Sequence, residues 1–533
     1  MSRRALLIGL DGATFDVLDP LMDEGEMPVL RDLIRSGARA TLRSTVPALT
    51  PPAWTSLVTG RGPGSHGIFD FFRKDDASSP LFRFLTSHDV GCPSIWSLAH
   101  HQGRASTVLN FPLTFPPPKI AGHIVPGGFL PWRQLRLGCH PEGLFDRLRT
   151  LPSFNARELA LDMTHEAKAI EGCDEAEYEP WIDMHIRRER QWVDIARALA
   201  EREPSDFTAV LFDGVDKIQH LCWRFIDPRM QGALSTDWEL RVRDKCREYF
   251  SELDRRIGEL VEVAGENAEV FVASDHGFGP QVRTLFVNAW LRETGRLAWL
   301  PGEAPVSAGA SALGLNQMAR HVFQLDWTRT RAFAPLPSGN GIHIVQADHA
   351  HPDGVSAAEY GAFRDELASD LLKIVDPASG VAVVQRVWTR EEIFAGPNLA
   401  VAPDLTLELA DGGLISILDS AEPVRRRPTA TGTHHPDGVF AVAGPEVRSG
   451  ARLEPMSILD VAPMLLHALD LPILSSMEGR FVAEALEAAA LAARPPRYSD
   501  DQVAQAPEMV AAELDAEAEQ EILKRLQALG YVD

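Results

Sequence analysis

The residues best suited to chemistry are a set of acids and imidazoles that follow predicted structural elements. They are Asp11, Asp216, His220, Asp275, His276 and His434. Apolar runs at 5–10, 207–212 and 268–273 each end shortly before members of this set, so each is predicted to be a strand that delivers ligands at its carboxyl end. Asp216 and His220 are four residues apart, which places both on one face of a helical turn. Three carboxylates and three imidazoles are enough for two metal sites with three ligands each.

A hydroxyl group lies between the first two of these segments. Thr50 precedes Pro51 and Pro52, and proline favours the first turn of a helix, so Thr50 is predicted to be a helix N-cap. An oxygen there lies beside N–H groups and the positive end of the helix dipole, which stabilise an anion. A hydroxyl bridging two metal sites predicts a hydrolase, whereas an ordinary threonine cap is the alternative. Carboxylate and imidazole ligands without thiolate suit Zn²⁺ or another divalent ion such as Mn²⁺.

The order of these motifs resembles the alkaline phosphatase superfamily, and within it the type I phosphodiesterase/nucleotide pyrophosphatase branch. Residues 46–60, together with 64–68, resemble the nucleophile segment of that branch, and residues 457–472 resemble its closing helix and turn. The similarity covers roughly residues 5–130, 205–300 and 400–480. The resemblance implies an α/β fold with a doubly wound, mostly parallel central sheet, helices on both faces and an inserted cap region.

The resemblance also implies a role for each candidate residue. One zinc ion is expected on Asp11, Asp275 and His276 with Thr50 bridging, and a second zinc ion on Asp216, His220 and His434. Thr50 is expected to attack phosphorus and form a phospho-threonine intermediate that water then hydrolyses. The expected activity is phosphodiester hydrolysis of a small phosphate ester.

Two positions depart from the family pattern or leave its register open. Nucleotide pyrophosphatases have an asparagine three residues after the nucleophile, and this chain has Ala53 there, followed by Trp54. Both residues are candidates for the wall of the substrate pocket, and the missing amide puts nucleotide specificity in doubt. His434 fits the family register better than the adjacent His435.

Alternative functions use the same residues. A phosphomonoesterase or a phosphonate monoester hydrolase would employ the same metals, although no arginine can be identified that would clamp a terminal phosphate. A sulfatase is disfavoured because its nucleophile position requires cysteine or serine, and this chain has Thr50. A non-catalytic relative that binds a phosphorylated ligand is the alternative from another class.

The organisation of the chain follows from where the core motifs stop. Residues 1–480 are predicted to form one alkaline phosphatase-like domain, with core segments at about 1–130, 205–280 and 400–480, a helical insertion at about 131–204 and a cap insertion at about 281–400. Residues 485–533 are predicted to form a helical C-terminal tail because they are rich in alanine and glutamate.

Composition limits the partners and the compartment. The net charge of −23 argues against binding of nucleic acid polymers, because no basic tract compensates for it. No apolar stretch of about 20 residues predicts a membrane span. Five cysteines without regular spacing and the absence of an apolar leader favour a cytoplasmic enzyme. The sequence is compatible with a monomer or an oligomer.

Overall fold

The computed structural model describes residues 3–73, 83–300, 324–336 and 338–500. The predicted tail is therefore largely outside the described residues, which end shortly after a short helix at Ala488–Ala493. The described chain forms two compact units. The first contains residues 3–68, 86–278 and 434–500, and the second contains residues 69–73, 83–85, 279–300, 324–336 and 338–433.

The strands of the described chain are numbered in chain order. They are β1 Arg4–Leu10, β2 Ala38–Arg43, β3 Phe72–Arg73, β4 Arg83–Phe84, β5 Ser106–Leu109, β6 Gly122–Val125, β7 Phe207–Phe212, β8 Ala268–Ala273, β9 Gly277–Leu285, β10 Ala332–Phe333, β11 Gly341–Ile344, β12 Val384–Thr389, β13 Leu405–Leu409, β14 Val424–His435, β15 Asp437–Ala443, β16 Ala451–Arg452, β17 Met456–Ser457, β18 Ile473–Leu474 and β19 Tyr498–Ser499.

The helices are numbered in the same way. They are α1 Phe15–Asp23, α2 Pro28–Ser36, α3 Thr50–Thr59, α4 Pro63–His66, α5 Ile95–His101, α6 Leu135–Gly138, α7 Leu144–Leu148, α8 Ala156–Leu159, α9 Met163–Glu171, α10 Tyr178–Arg202, α11 Gly214–Ile226, α12 Pro228–Gln231, α13 Asp237–Ala264, α14 Val287–Glu293, α15 Tyr360–Leu371, α16 Arg390–Ile393, α17 Val461–Ala468 and α18 Ala488–Ala493.

A nine-stranded sheet forms the centre of the first unit. Its strand order is β16-β2-β15-β8-β1-β7-β5-β6, with β17 paired to β2. The pairs β8-β1, β1-β7, β7-β5 and β5-β6 are parallel, whereas β15 runs antiparallel to both of its neighbours. A largely parallel sheet was predicted from the strand-end motifs and the family resemblance, and it is confirmed.

Helices cover both faces of this sheet. Alternate side chains of a strand point to opposite faces, and in β1 the side chains of Leu6, Ile8 and Leu10 belong to one apolar core while those of Ala5 and Leu7 belong to another. The first core includes apolar residues of α1, α2, α10, α11 and α13, and the second includes apolar residues of α3, α5 and α17. The predicted doubly wound arrangement is therefore confirmed.

The second unit has its own sheet and core. Its antiparallel sheet has the order β10-β11-β13-β12, and apolar residues of α14 and α15 belong to the same core as those strands. Within this unit Asp70 is buried, and its carboxyl accepts hydrogen bonds from the Ser338 hydroxyl. The chain passes from the first unit to the second within β9 and returns within β14.

Candidate functional site

Three neighbouring parallel strands of the first unit end at the candidate ligands. β1 is followed directly by Asp11, and β8 is followed by Ser274 and then Asp275 and His276. β7 leads into α11, whose first turn carries Asp216 and whose second turn carries His220. Because β8, β1 and β7 are adjacent and parallel, their carboxyl ends meet at one edge of the sheet.

α3 contributes the nucleophile candidate, Thr50, and the end of β14 contributes the last imidazole, that of His434. α3 begins at Thr50, so Thr50 is the first residue of the helix and Leu49 precedes it as the cap. The predicted N-cap position of Thr50 is therefore wrong by one residue. The two prolines fit the second and third helical positions, where the chain needs no N–H donor. The Thr50 hydroxyl instead lies 3.3 Å from Nε2 of His276.

The first ligand group surrounds Nε2 of His276. Oδ2 of Asp275 is 3.3 Å from this nitrogen, and Oδ1 of Asp11 is 3.6 Å from it. Nδ1 of His276 lies 3.1 Å from the Gly277 carbonyl, which can only accept a hydrogen bond. The ring proton is therefore on Nδ1, and the lone pair of Nε2 faces the two carboxylates and the Thr50 hydroxyl.

The second ligand group surrounds Oδ1 of Asp216. Nε2 of His434 is 3.3 Å from this oxygen and Nε2 of His220 is 3.5 Å from it, while the two nitrogens are 3.1 Å apart. Nδ1 of His434 lies 3.0 Å from the carbonyl oxygen of Ala48, so it is the donor and leaves Nε2 with its lone pair. Asp216 and His434 also lie close enough to His276 to form a ligand group with it.

The carboxylates of the site have oxygens with no hydrogen-bond donor among the described residues. These are Oδ1 of Asp11, Oδ1 of Asp216 and Oδ2 of Asp275, all of them buried atoms. A buried carboxylate oxygen without a donor is costly, whereas a cation satisfies it. The three oxygens are the same ones that face the imidazole nitrogens, so the site fits divalent cations.

The pKa shifts of the candidate ligands also indicate that the site suits divalent cations. Burial, followed by the nearby charge of Asp275, raises the pKa of Asp11 well above its ordinary range, and burial raises the pKa of Asp275 to about 7. Burial and the neighbouring His434 lower the pKa of His276 well below its ordinary value. Burial alone would raise the pKa of Asp216, but the imidazoles of His220 and His434 hold that pKa below its ordinary value. A divalent cation would offset the repulsion between Asp11 and Asp275.

Ala53 and Trp54 lie in α3 and are buried, with 0% and 1% of their surface exposed. The indole Nε1 of Trp54 donates to Oδ2 of Asp11 at 3.2 Å. The backbone N–H of Ala53 donates to the carbonyl of Leu49 at 3.0 Å. His435, the neighbour of the predicted ligand His434, is less buried than His434.

A buried charged network beside α11 was largely missed from the sequence. The carboxylate of Asp213 accepts hydrogen bonds from Arg188 at 3.0 Å, Lys217 at 2.7 Å and Asn110 at 3.0 Å. Glu189 accepts from the N–H of Gly214, the first residue of α11, at 3.1 Å. No local sequence signal identifies this network, because charged residues in a long helix such as α10 are usually exposed to solvent.

A cavity of about 200 Å³ runs along α3 in the same unit. Its apolar walls include Trp54, Val58, Trp96 and Phe111, and its described lining contains no aspartate, glutamate, lysine or arginine. The hydroxyl of Thr55 in this wall donates to the carbonyl of Pro51 at 2.7 Å. The cavity therefore favours uncharged groups.

None of the helices in the described part of the chain combines the length and apolarity that crossing a membrane requires.

Comparison with solved structures gives the same architecture. Phosphonoacetate hydrolase from Sinorhizobium meliloti 1021, solved with phosphonoformate, is 17% identical with a TM-score of 0.50, and the alignment covers 88% of this chain and 95% of that one. Murine ectonucleotide pyrophosphatase/phosphodiesterase 5 is 15% identical with a TM-score of 0.49, and the alignment covers 91% of this chain and 100% of that one. At 17% identity, the similarity to phosphonoacetate hydrolase shows a shared fold and nothing further.

A comparison with curated proteins finds no match. Residues 5–437 match the sequence model of the type I phosphodiesterase/nucleotide pyrophosphatase family. The matched range includes the three strand ends, Thr50 and all six candidate acid and imidazole ligands described above. The chain belongs to the type I phosphodiesterase/nucleotide pyrophosphatase family and is a metal-dependent phosphoric ester hydrolase.

Proposed function

We propose that the protein hydrolyses phosphodiesters, with Thr50 as the nucleophile and two zinc ions as cofactors. The observation that carries this proposal is the position of the Thr50 hydroxyl, 3.3 Å from Nε2 of His276, where the first ligand group converges. Thr50 is buried, and its hydroxyl has no other hydrogen-bond partner among the described residues. A threonine that only capped a helix would direct its oxygen to a backbone N–H instead.

The ligand spacing supports zinc. Three ligands at about 2.0–2.1 Å from a tetrahedral Zn²⁺ lie about 3.3–3.4 Å from one another. The three distances among His220, His434 and Asp216 are 3.1, 3.3 and 3.5 Å. One ion would be held by Asp11, Asp275 and His276 with Thr50, and the other by Asp216, His220 and His434. Bound divalent ions in such a site lower the pKa of a nucleophile and neutralise charge on the transferring phosphoryl group.

The role of the chain itself is to hold and aim the nucleophile. The Thr50 hydroxyl loses its proton as its oxygen attacks phosphorus, the bond from phosphorus to the leaving group breaks, and the leaving group takes up a proton and departs as an alcohol. The phospho-threonine formed from a diester keeps the second substituent on phosphorus. Water then attacks phosphorus, the bond to the Thr50 oxygen breaks, one proton of the water restores the Thr50 hydroxyl, and a phosphomonoester is released. Pro51 and Pro52 have no N–H, and the N–H of Ala53 is already bonded to Leu49, so the N–H of Thr50 is the backbone donor of this turn available to a phosphoryl oxygen.

Diesters are the favoured substrate class because the site offers little positive charge besides the metals. Residues 45–59 contain neither arginine nor lysine, and Ala53 has no donor in its side chain. A diester has one negative charge, so it needs less compensating positive charge than a monoester dianion does. Phosphonate hydrolysis is the second candidate, because phosphonoacetate hydrolase shares the fold.

We place the enzyme in the cytoplasm. All five cysteines are described and all are free thiols, and three of them are buried. Free buried thiols are typical of proteins kept in a reducing compartment.

The direct test is an assay of the purified, zinc-loaded protein on bis-p-nitrophenyl phosphate, p-nitrophenyl phosphate and phosphonoacetate. The proposal expects the highest kcat/KM on the diester, and mass spectrometry of acid-quenched turnover of this diester should find a p-nitrophenyl phosphoryl group on Thr50. A preference for phosphonoacetate would favour the second candidate. Hydrolysis that persists in Thr50→Ala would exclude the nucleophile assignment.

A further inference from the structure

The indole of Trp54 contacts a candidate metal ligand rather than solvent. Its Nε1 donates to Oδ2 of Asp11 at 3.2 Å, and the two residues are 1% and 2% exposed. The other oxygen of Asp11, Oδ1, has no donor among the described residues and lies 3.6 Å from Nε2 of His276. The indole therefore distinguishes the two carboxylate oxygens, because it holds one and leaves the other facing the ligand group.

The packing around Trp54 fixes the ring in this position. Gly9 of β1 lies against the indole so closely that an added Cβ would be 2.8 Å from its Cη2 atom. Phe111 meets the ring edge-on, with centroids 5.3 Å apart and planes at 81°. The ring is thus wedged between the sheet and a second aromatic side chain. A buried indole N–H needs an acceptor, and Asp11 supplies it.

The same helix contacts the first ligand group at a second point. Thr50 and Trp54 are four residues apart in α3 and therefore lie on one face of the helix. Thr50 reaches His276 and Trp54 reaches Asp11. Two contacts one helical turn apart fix both the position and the rotation of α3 relative to the ligand group.

We propose that Trp54 is a positioning residue that couples the nucleophile helix to the first metal site. Its N–H holds Oδ2 of Asp11 and leaves Oδ1 facing the first ligand group, and its ring holds α3 so that the Thr50 oxygen faces the same group, which would hold the metal. This inference rests on the proposed metal site. Partners that orient a metal ligand in this way typically contribute about 10- to 100-fold to metal affinity or activity.

The test compares Trp54→Phe with Trp96→Phe. Phenylalanine keeps an aromatic ring at position 54 but removes the N–H. Trp96 is a matched control because it is also buried and packs on Phe111, with centroids 5.9 Å apart, yet it contacts none of the candidate metal ligands among the described residues. Chelator competition should show one of the two zinc ions bound about 10- to 100-fold more weakly in Trp54→Phe and both ions bound normally in Trp96→Phe.

A second measurement is made on the unaltered protein and needs the folded variants only to assign the indole resonances. With ¹⁵N-labelled tryptophan, the resonance that disappears in Trp54→Phe identifies the indole of Trp54 among the eleven tryptophans. Zinc added to the metal-free protein should shift this resonance and leave that of Trp96 in place. An unshifted Trp54 resonance would overturn the inference.

Failure of the inference is distinguishable from failure of the proposed function. If the unaltered protein binds two zinc ions and depends on Thr50, the proposed function stands. Equal zinc affinities in Trp54→Phe and Trp96→Phe would then overturn the role of Trp54 alone. A protein that binds no zinc would overturn both.

Discussion

His276 and His434 stack face to face, with ring centroids 3.8 Å apart and an angle of 21° between the planes. His276 belongs to the first ligand group and His434 to the second, so the stacked pair joins the two groups. Both rings donate from Nδ1 to backbone carbonyls, those of Gly277 and Ala48, and both therefore present Nε2 to the site. The two ligand groups are therefore in direct contact through this pair.

The protein should bind two divalent ions per chain, and His276→Ala should weaken at least the ion of the first ligand group. His276 lies with Asp11 and Asp275 and also close to Asp216 and His434, so the second ion should be weakened less. Asp11→Asn should weaken only one ion, because Asp11 belongs to the first group. Elemental analysis after dialysis against limiting chelator gives the stoichiometry. A single ion in the unaltered protein, or both ions retained at full affinity in His276→Ala, would contradict the arrangement.

Thr50→Ala should reduce kcat by more than about a thousandfold, since the loss of a covalent nucleophile usually has that effect. Thr50→Ser should retain part of the activity because the hydroxyl survives. Thr55→Val is the matched control: Thr55 is a buried hydroxyl in the same helix that bonds to the Pro51 carbonyl at 2.7 Å. It should keep kcat within a few-fold. Steady-state rates and thermal denaturation, measured together, separate a lost nucleophile from a lost fold.

The strand ends could be predicted from the sequence because each combines two local signals. Val270, Phe271 and Val272 belong to a short apolar run, and an acid stops it. In a parallel sheet such ends must gather at one edge, so the sequence predicts proximity between Asp11 and Asp275 without any contact information. The predicted start of α3 was one residue too late, because prolines fit any position of the first helical turn and not only the first one.

The network around Asp213 could not be predicted because its partners come from distant elements. Arg188 and Glu189 lie in α10, which has a long exposed face, and charged residues in such a helix are usually solvated. Only the packing of α10 against α11 and α13 shows that these charges face inward. The contact of Trp54 with Asp11 could not be predicted from the sequence either, since a tryptophan near a candidate nucleophile is also compatible with core packing or with stacking on a substrate.

Arg188→Met should destabilise the protein by about 3–5 kcal/mol, because it leaves the buried carboxylate of Asp213 with less compensating charge. Arg188 and Asp213 are 2% and 3% exposed. The double variant Arg188→Met/Asp213→Asn removes both charges and should recover part of the loss. Urea denaturation in the presence of saturating zinc measures the free energy of unfolding. Equal stability of the single variant and the unaltered protein would show that Lys217 and Asn110 suffice to hold Asp213.

Glu189 should make the fold less stable as the pH rises. Burial, together with the nearby charge of Asp213, raises the pKa of Glu189 to about 8 from its ordinary value of 4.5. The unfolded chain therefore releases this proton at a lower pH than the folded chain does. Stability contributed by the neutral carboxyl is complete below about pH 4.5 and is lost by about pH 8.

Glu189→Gln removes this titration while keeping an acceptor for Gly214 and Tyr249. The melting temperature of Glu189→Gln relative to the unaltered protein should therefore rise by several degrees between pH 5 and pH 8. Both proteins are compared at the same zinc concentration, so that protonation of the metal ligands affects them equally. A difference that stays constant over this range would show that Glu189 is ionised throughout.

Diesters should be hydrolysed with a higher kcat/KM than monoesters carrying the same leaving group. A monoester dianion requires an additional donor or positive charge for its third non-bridging oxygen, and one such donor is typically worth about 3 kcal/mol in the transition state. Residues 45–59 supply no arginine or lysine. Bis-p-nitrophenyl phosphate and p-nitrophenyl phosphate, assayed at one pH and zinc concentration, give the ratio. Faster monoester hydrolysis would reveal a cation that reaches the phosphoryl group.

The absence of an amide at position 53 can be tested on the same substrates. Ala53→Asn should raise kcat/KM for nucleotide-type diesters if its amide reaches a phosphoryl oxygen, as the family pattern implies. Ala53 is fully buried, so a larger side chain costs about 1–3 kcal/mol in packing. Ala53→Leu adds the same number of side-chain heavy atoms with the same branching but no donor, and so estimates this cost. If the amide acts as a donor, the Ala53→Asn variant must show a higher kcat/KM than the Ala53→Leu variant, and a difference in stability alone is not enough. Equal rates would mean that the N–H of Thr50 and the metals already satisfy the phosphoryl oxygens.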